Sequence, residues 1–348
     1  MSLKAKIKAG ALSLGFADCG FSNVVPAPGI EQYQGWLARG QHAAMAYLAD
    51  ERAVTARSDP RVLLPSCRTV ISLITAYPPP SSESPRAKPN ELSVTGRIAA
   101  FALLPDYHNA IKERLVELAK MINELAGCEI ESYACVDSAP ILEGGYAQQA
   151  GLGWTGRNSL LLHQKHGSWT NLSELLVNLE LEPDLPLEED GCESCQICVL
   201  ACPTNAIQPD RSIDARRCLS YLTIENRNEI PPEFRRAMGA RIFGCDTCQS
   251  VCPVNKKAET AALVPAIEES PDLAESFRLT EGEFKQTYRR TPVWRAKYSG
   301  FRRNVANAMG NSGRQNFVPI LEAALKTESD TIVADSIDWA LSKLTGNL

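Results

Sequence analysis

The sequence contains no run approaching the ~20 uninterrupted apolar residues that a membrane-spanning helix needs. It has no excess of positive charge either, since 36 Lys and Arg against 41 Asp and Glu leave a net charge of −5. That balance argues against a general nucleic-acid coat and leaves room only for a local basic patch. The start, Met1-Ser2-Leu3-Lys4-Ala5-Lys6, is basic, but no apolar signal core follows and no twin-arginine pair lies nearby. Export and membrane attachment are therefore not expected, and a cytoplasmic location is. No Gly-x-Gly-x-x-Gly follows a predicted strand and no P-loop is present, so neither a Rossmann site nor a P-loop nucleotide site is indicated. Histidine is scarce, with 4 in the chain, and the close pair His163 and His166 reads as solvated loop residues rather than metal ligands.

What remains is an ordinary globular composition, 44% apolar and 22% charged, over 348 residues. That length is enough for two or three domains. Nothing demands more than a monomer. Residues 1–185 read as mixed helix and strand. Within them, 4–14 has helical spacing, Val70–Ala76 reads as a buried strand, and the proline-rich 78–90 as a loop or flap. Residues 107–126 read as an amphipathic helix, with Ile111, Leu115, Leu118, Ile122 and Leu125 on one face and Gly127 just past the end. Residues 129–136 read as a strand that delivers Asp137 at its end. By its residues alone Asp137, in Asp-Ser-Ala-Pro, also suits a helix N-cap. Residues 259–348 read as helical. They end in an antiparallel pair, 316–325 and 331–344, that resembles one HEAT-type repeat.

Cysteine is abundant, with 12 residues, of which eight lie between Cys192 and Cys252. Cys192-x2-Cys195-x2-Cys198-x3-Cys202-Pro203 is the ferredoxin run, in which three thiolates hold one [4Fe–4S] cluster and the fourth reaches a second. Cys245-x2-Cys248-x3-Cys252-Pro253 is a second run, one cysteine short, and Cys218 can supply the missing ligand. The expected wiring is crossed: Cys192, Cys195, Cys198 and Cys252 hold cluster one, and Cys202, Cys218, Cys245 and Cys248 hold cluster two. Zinc sites more often use C-x2–4-C pairs separated by a longer loop. The remaining Cys19, Cys67, Cys128 and Cys135 have no ligand spacing and read as buried structural thiols. Residues 186–258 are thus a ferredoxin-like insert, a one-electron wire whose terminus lies elsewhere.

The segments Asp137-Ser-Ala-Pro140-Ile-Leu-Glu143 and Ala150-Gly-Leu-Gly-Trp-Thr-Gly-Arg-Asn158 resemble the epoxyqueuosine reductase family. Asp106-Tyr107-His108, Arg217-Cys218-Leu-Ser220-Tyr221-Leu-Thr-Ile-Glu225 and Arg303-Asn304 through Asn311 match as well. The resemblance runs from about residue 50 to the end. It implies an α+β N-terminal cobalamin-binding domain like that of reductive dehalogenases, two [4Fe–4S] clusters and a helical tRNA-binding region. It further implies reduction of the epoxide of epoxyqueuosine at the tRNA wobble position, with electrons from an external donor. Removing that oxygen as water takes two electrons and two protons. Asp137 occupies the family's proton-donor position. For it to be half protonated at pH 7, its pKa must rise from about 3.9 by roughly 3, worth about 4 kcal/mol. Burial beside corrin and substrate is expected to supply that.

The resemblance also implies cofactor contacts at Asp137, Arg157, Asn158 and Ser220. It turns the basic stretch Arg289 to Arg303, interleaved with Tyr288, Trp294, Tyr298 and Phe301, from a solvated helix face into a tRNA patch. Arg227, Arg295, Arg302 and Arg303 are its expected contacts. Neutralising about four phosphates would give a salt slope near −3. The sequence departs from the family at Ile98–Pro105, where an arginine and a glycine are missing, and this bears on the pocket. Two other functions compete on the residues alone. One is a corrinoid reductase of a small molecule, and the other a ferredoxin-like electron carrier.

Overall fold

The computed structural model describes residues 1–24, 27–81, 94–188, 190–259, 261 and 263–347. The expected flap at 78–90 lies outside the described residues from 82 onward. Four antiparallel strands form the central sheet: β1 (Asp18–Asn23), β2 (Thr69–Ala76), β3 (Ser132–Cys135) and β4 (Thr170–Val177), in the order β1-β2-β4-β3. Strand alternation divides their side chains between two faces. Ile71, Leu73, Leu175 and Val177 point to the side covered by helices α1 (Leu3–Ser13) and α2 (Tyr107–Ala126). Val70, Ser72, Glu174 and Leu176 point to the other side, which helix α3 (Glu143–Gln149) covers. Gly20 on β1 permits that close cover, because a Cβ there would stand 2.4 Å from the Ala150 carbonyl oxygen.

The amphipathic reading of α2 is matched at Ile111, Leu115, Leu118 and Ile122, all buried, while Leu125 is exposed in the last turn before the Gly127 C-cap. Asp106 caps the start of α2 through the His108 amide, 3.1 Å from its Oδ1. The expected strand at 129–136 shortens to β3, and Asp137 follows it after Val136. Two thiol and histidine expectations change. Cys128 is exposed, since it lies past the end of α2. His163 is buried rather than solvated, because its Nε2 meets Asp18 Oδ2 at 3.2 Å.

Downstream, α4 (Leu219–Ile224) and the helix Pro232–Met238 pack with Ala215 and Ile230, against Trp36, Ala43 and Met45. Helix α5 (Lys297–Asn311) is buried over ten residues and packs on the pair α6 (Val318–Leu325) and α7 (Thr331–Leu344). That helical core also takes in Ile98, Ala102, Leu103, Ile242 and Phe243. The units expected at 1–185, 186–258 and 259–348 therefore share packing across their boundaries. The short strands Arg97–Ile98 and Arg241–Phe243 pair in parallel and carry one such junction. The departure at Ile98–Pro105 falls in this junction. Ala100 is fully buried and its N–H donates to Asp246 Oδ2 at 2.8 Å, between the cluster cysteines Cys245 and Cys248. The missing arginine position is thus filled by packing between Tyr77 and Trp169.

Candidate active site and cluster-binding region

Asp137 leaves β3 in the left-handed region, with φ +44°. Few residues other than glycine adopt that conformation, though aspartate is among those that tolerate it. It caps no helix. The nearest, α3, begins six residues later with Leu142 at its cap position. Instead its N–H donates to Glu143 Oε1 at 2.6 Å, and its Oδ2 lies 2.9 Å from His108 Nε2. The other ring nitrogen, Nδ1, meets Asp106 Oδ1 at 2.5 Å. Tyr107 stacks on the His108 ring, with centroids 4.3 Å apart. One imidazole thus bridges two carboxylates, and the protonated ring donates to both.

This arrangement reverses the expected charge state of Asp137. The hydrogen bond from His108 holds the Asp137 carboxyl below its ordinary range, outweighing the raising effect of lost hydration. The proton resides on His108 instead, whose pKa the Asp137 and Asp106 carboxylates push up to about 9. Lost hydration and the Asp137 charge push Glu143 up to about 8. The proton at this site is therefore held by His108 rather than by an Asp137 carboxyl raised by burial. His108, Asp106 and Glu143 were visible only as matched letters. Their roles come from contacts across 29, 2 and 6 residues, of which the first, His108 to Asp137, is made by the fold.

Arg295 borders the same site. It lies within electrostatic reach of Asp137, stands over the Tyr47 ring, and forks onto Glu225 at 2.7 and 3.0 Å. Arg227 donates to the backbone carbonyls of Ile224 and Arg295, each at 2.7 Å, and remains exposed. Arg302 pairs with Glu328 and is mostly buried. Arg303 corrects the expectation outright. It is 0% exposed, and its guanidinium donates to the carbonyls of Leu222, Asn226 and Asn228. It fastens the segment after α4 to α5 and cannot touch a phosphate. Lys285, Arg289 and Arg290 line a separate open groove of about 720 Å³. The backbone of that groove reaches Asp106, which holds the His108 ring, since Arg290 O accepts the Asp106 N–H at 2.8 Å.

None of the eight clustered cysteines is in a disulfide. Cys198 senses the charges of Cys192 and Cys252, whereas Cys218 senses those of Cys245 and Cys202. Cys248 lies among Cys245, Cys218 and Cys198. The second group adjoins the Asp137 side of the molecule: Tyr221, three residues past Cys218, accepts the Ala44 N–H, and Ala44 leads to Tyr47. The Ser220 amide points at the Cys218 thiol. Arg157 donates to the Glu193 carbonyl at 2.5 Å, which ties the glycine-rich segment to the first cysteine run. Several buried polar atoms nearby have no partner among the described residues, namely Asn158 Nδ2, Arg157 Nε, Trp154 Nε1 and His42 Nδ1. Trp154 also lines a cavity of about 650 Å³ with Tyr33, Trp36, Leu48 and Gln148. The unpaired Trp154 N–H is the donor that borders this cavity, and it suits a ligand that offers an acceptor there.

The chain matches two family profiles. One is described as a 4Fe-4S double cluster binding domain and covers residues 191–255, and the other as epoxyqueuosine reductase QueG, DUF1730, and covers residues 57–138. The epoxyqueuosine reductase of Shewanella oneidensis is 39% identical over 98% of this chain and 88% of its own. That of Vibrio cholerae is 38% identical over 99% and 92%. Among solved structures, the epoxyqueuosine reductase of Streptococcus thermophilus superposes with a TM-score of 0.90 at 28% identity, covering 99% of this chain and 91% of that one. An epoxyqueuosine reductase bound to an epoxyqueuosine-modified tRNA-Tyr stem loop gives 0.83 at 26% identity, covering 99% of both. The Bacillus subtilis enzyme, in a structure with its catalytic aspartate loop swung out of the active site, gives 0.88 at 26% identity, covering 98% and 90%. Relatives this similar along nearly their whole lengths place the chain in the epoxyqueuosine reductase family.

Proposed function

We propose that this chain reduces epoxyqueuosine in tRNA to queuosine, using cobalamin and electrons passed through two [4Fe–4S] clusters from an external donor. The observation that carries this reading is the Asp137–His108–Asp106 chain, a proton source beside Arg295 and next to the cysteine region. Cys192, Cys195, Cys198 and Cys252 hold one cluster, and Cys202, Cys218, Cys245 and Cys248 the other. Two sets of four free thiols suit this chemistry. Asn158, Arg157, Ser220 and Asp137 are the residues that would hold cobalamin, whose amide-rich rim suits polar partners. When bound, cobalamin supplies the low-potential electron chemistry that an epoxide requires.

The protein's own part is proton handling and placement. His108 holds a proton at neutral pH, and Asp137 presents it through the Nε2···Oδ2 contact to the departing oxygen. General acid help of this sort contributes about 10²- to 10⁴-fold. Asp106 keeps the imidazole oriented. Arg227 and Arg295 lie at the RNA-facing edge, with Arg302 contributing only through its exposed fringe. The C-terminal pair α6–α7 serves as a HEAT-like support. The N-terminal unit has the role of a corrin-binding domain of the reductive-dehalogenase type.

The test is anaerobic turnover. Reconstituted protein, cobalamin and a strong reductant are mixed with tRNA carrying epoxyqueuosine, and the digested nucleosides are weighed. Loss of one oxygen mass that depends on cobalamin is expected. No loss, from protein shown to hold corrin and both clusters, would transfer the assignment to a small-molecule corrinoid reductase.

A further inference from the structure

The two sets of cysteines meet solvent differently. Cys218 and Cys245 pack against the apolar group of Leu219, Tyr221, Leu222 and Met238. Cys192, Cys195 and Cys198 lie in the stretch 182–203, where no described residue is buried. An electron from outside therefore enters on the side of Cys192, Cys195, Cys198 and Cys252. Two features flank that entry. The short helix Ile197–Ala201, which carries Cys198, leaves Ile197 46% and Leu200 82% exposed. On the Cys252 side, Lys256 and Lys257 follow in the next turn, and both are exposed. Exposed Lys165 joins them. Its carbonyl accepts the Glu259 N–H at 2.7 Å, and nearby the Ser168 N–H donates to Asn255 Oδ1 at 2.7 Å. Lys4, Lys8 and Lys120 pair with carboxylates, whereas Lys165, Lys256 and Lys257 make no ion pair among the described residues. Glu259 is the one acid in the segment 254–259. The acids on the opposite flank are partly neutralised, Asp190 by Arg211 and Asp184 by Lys4.

We propose that an acidic one-electron carrier protein docks on the face formed by Ile197, Leu200, Lys165, Lys256 and Lys257. This inference rests on the two-cluster reading. An apolar centre with a charged rim is the composition of a docking face, and brief redox encounters use small ones. The free lysines complement an acidic carrier and speed its approach, an effect that salt screens. At each encounter the carrier is oxidised by one electron and the first cluster is reduced by one, which passes to the second. Two encounters, with two protons, balance the loss of one epoxide oxygen as water.

Stopped-flow mixing of the reconstituted holoenzyme tests this face, with a photoreduced acidic flavodoxin as the probe and dithionite as the control. Bleaching of the cluster absorbance by flavodoxin should slow as salt rises. Joint replacement Lys165→Glu, Lys256→Glu and Lys257→Glu should cut that rate about tenfold or more at low salt. Leu200→Ser should cut it about threefold with the salt dependence kept. Dithionite should bleach parent and variants to the same final amplitude, which separates docking from cluster assembly. Glu193→Lys, beside Cys192 on the acidic flank, should not slow the flavodoxin. A parent rate that ignores salt, an equal rate in the lysine variant, or a loss in Glu193→Lys instead would each overturn the docking face. A parent chain that dithionite cannot bleach would overturn the two-cluster reading itself.

Discussion

The cysteine-bearing loop and the Asp137 site solve opposite problems. From 182 to 203 no described residue is buried, so the first cysteine run has no apolar core of its own. The Asp137 site is built over the most buried part of the sheet, with every residue of the Cys135–Glu174–Ser72 rung fully covered. One region borrows its order from inorganic sulfide and thiolate bonds. The other takes its order from packing and spends it on holding polar groups in costly positions.

Substitutions can break this comparison at several strengths. The largest effect is expected at Asp137. Asp137→Asn should lower turnover by about 10²- to 10⁴-fold while corrin binding, read by its visible spectrum, persists. Arg303→Ala should come next, but in stability. Removing a buried guanidinium leaves three carbonyls without their donor and should cost about 3–5 kcal/mol in denaturant unfolding. His108→Gln should show in the pH profile. In the parent chain the proton that His108 carries is lost as pH rises through about 9, so activity should fall on that limb and the variant should lack it. The same linkage adds stability that is full below the ordinary histidine pKa and fades as pH climbs through about 9. Chelating the iron should open only the first cysteine run. Limited proteolysis should cut between 182 and 203 while the sheet keeps its unfolding midpoint, and loss of both together would merge the two regions into one. The smallest effect is expected at Arg295→Ala, which should weaken RNA binding and reduce the salt slope by about 1.

The two regions also differ in how far the residues announced them. Cluster chemistry depends on thiols a fixed few positions apart, so the runs at Cys192–Cys202 and Cys245–Cys252 were legible as spacing. The α2 stripe was legible for the same reason, since helical period is local. The Asp137 site was legible only as a likeness. Its working state depends on His108, which arrives through the fold, and on Asp106; the residues alone suggested a helix cap and the likeness a raised carboxyl, where the structure holds a lowered one. The basic stretch misled in the other direction. Nothing in the letters of Arg302-Arg303 tells that the second side chain turns inward to bind carbonyls, because three-dimensional carbonyl positions have no signature in composition.

Asp106 has a mechanical meaning beyond its cap. Its carboxylate takes both the His108 amide and the His108 ring, while its own amide is held by the Arg290 carbonyl. The imidazole is thus registered against the C-terminal segment as well as against the sheet, because α2, which carries it, packs on the strands that lead to Asp137. Any error in docking the C-terminal segment thereby becomes an error in the placement of the His108 ring against Asp137.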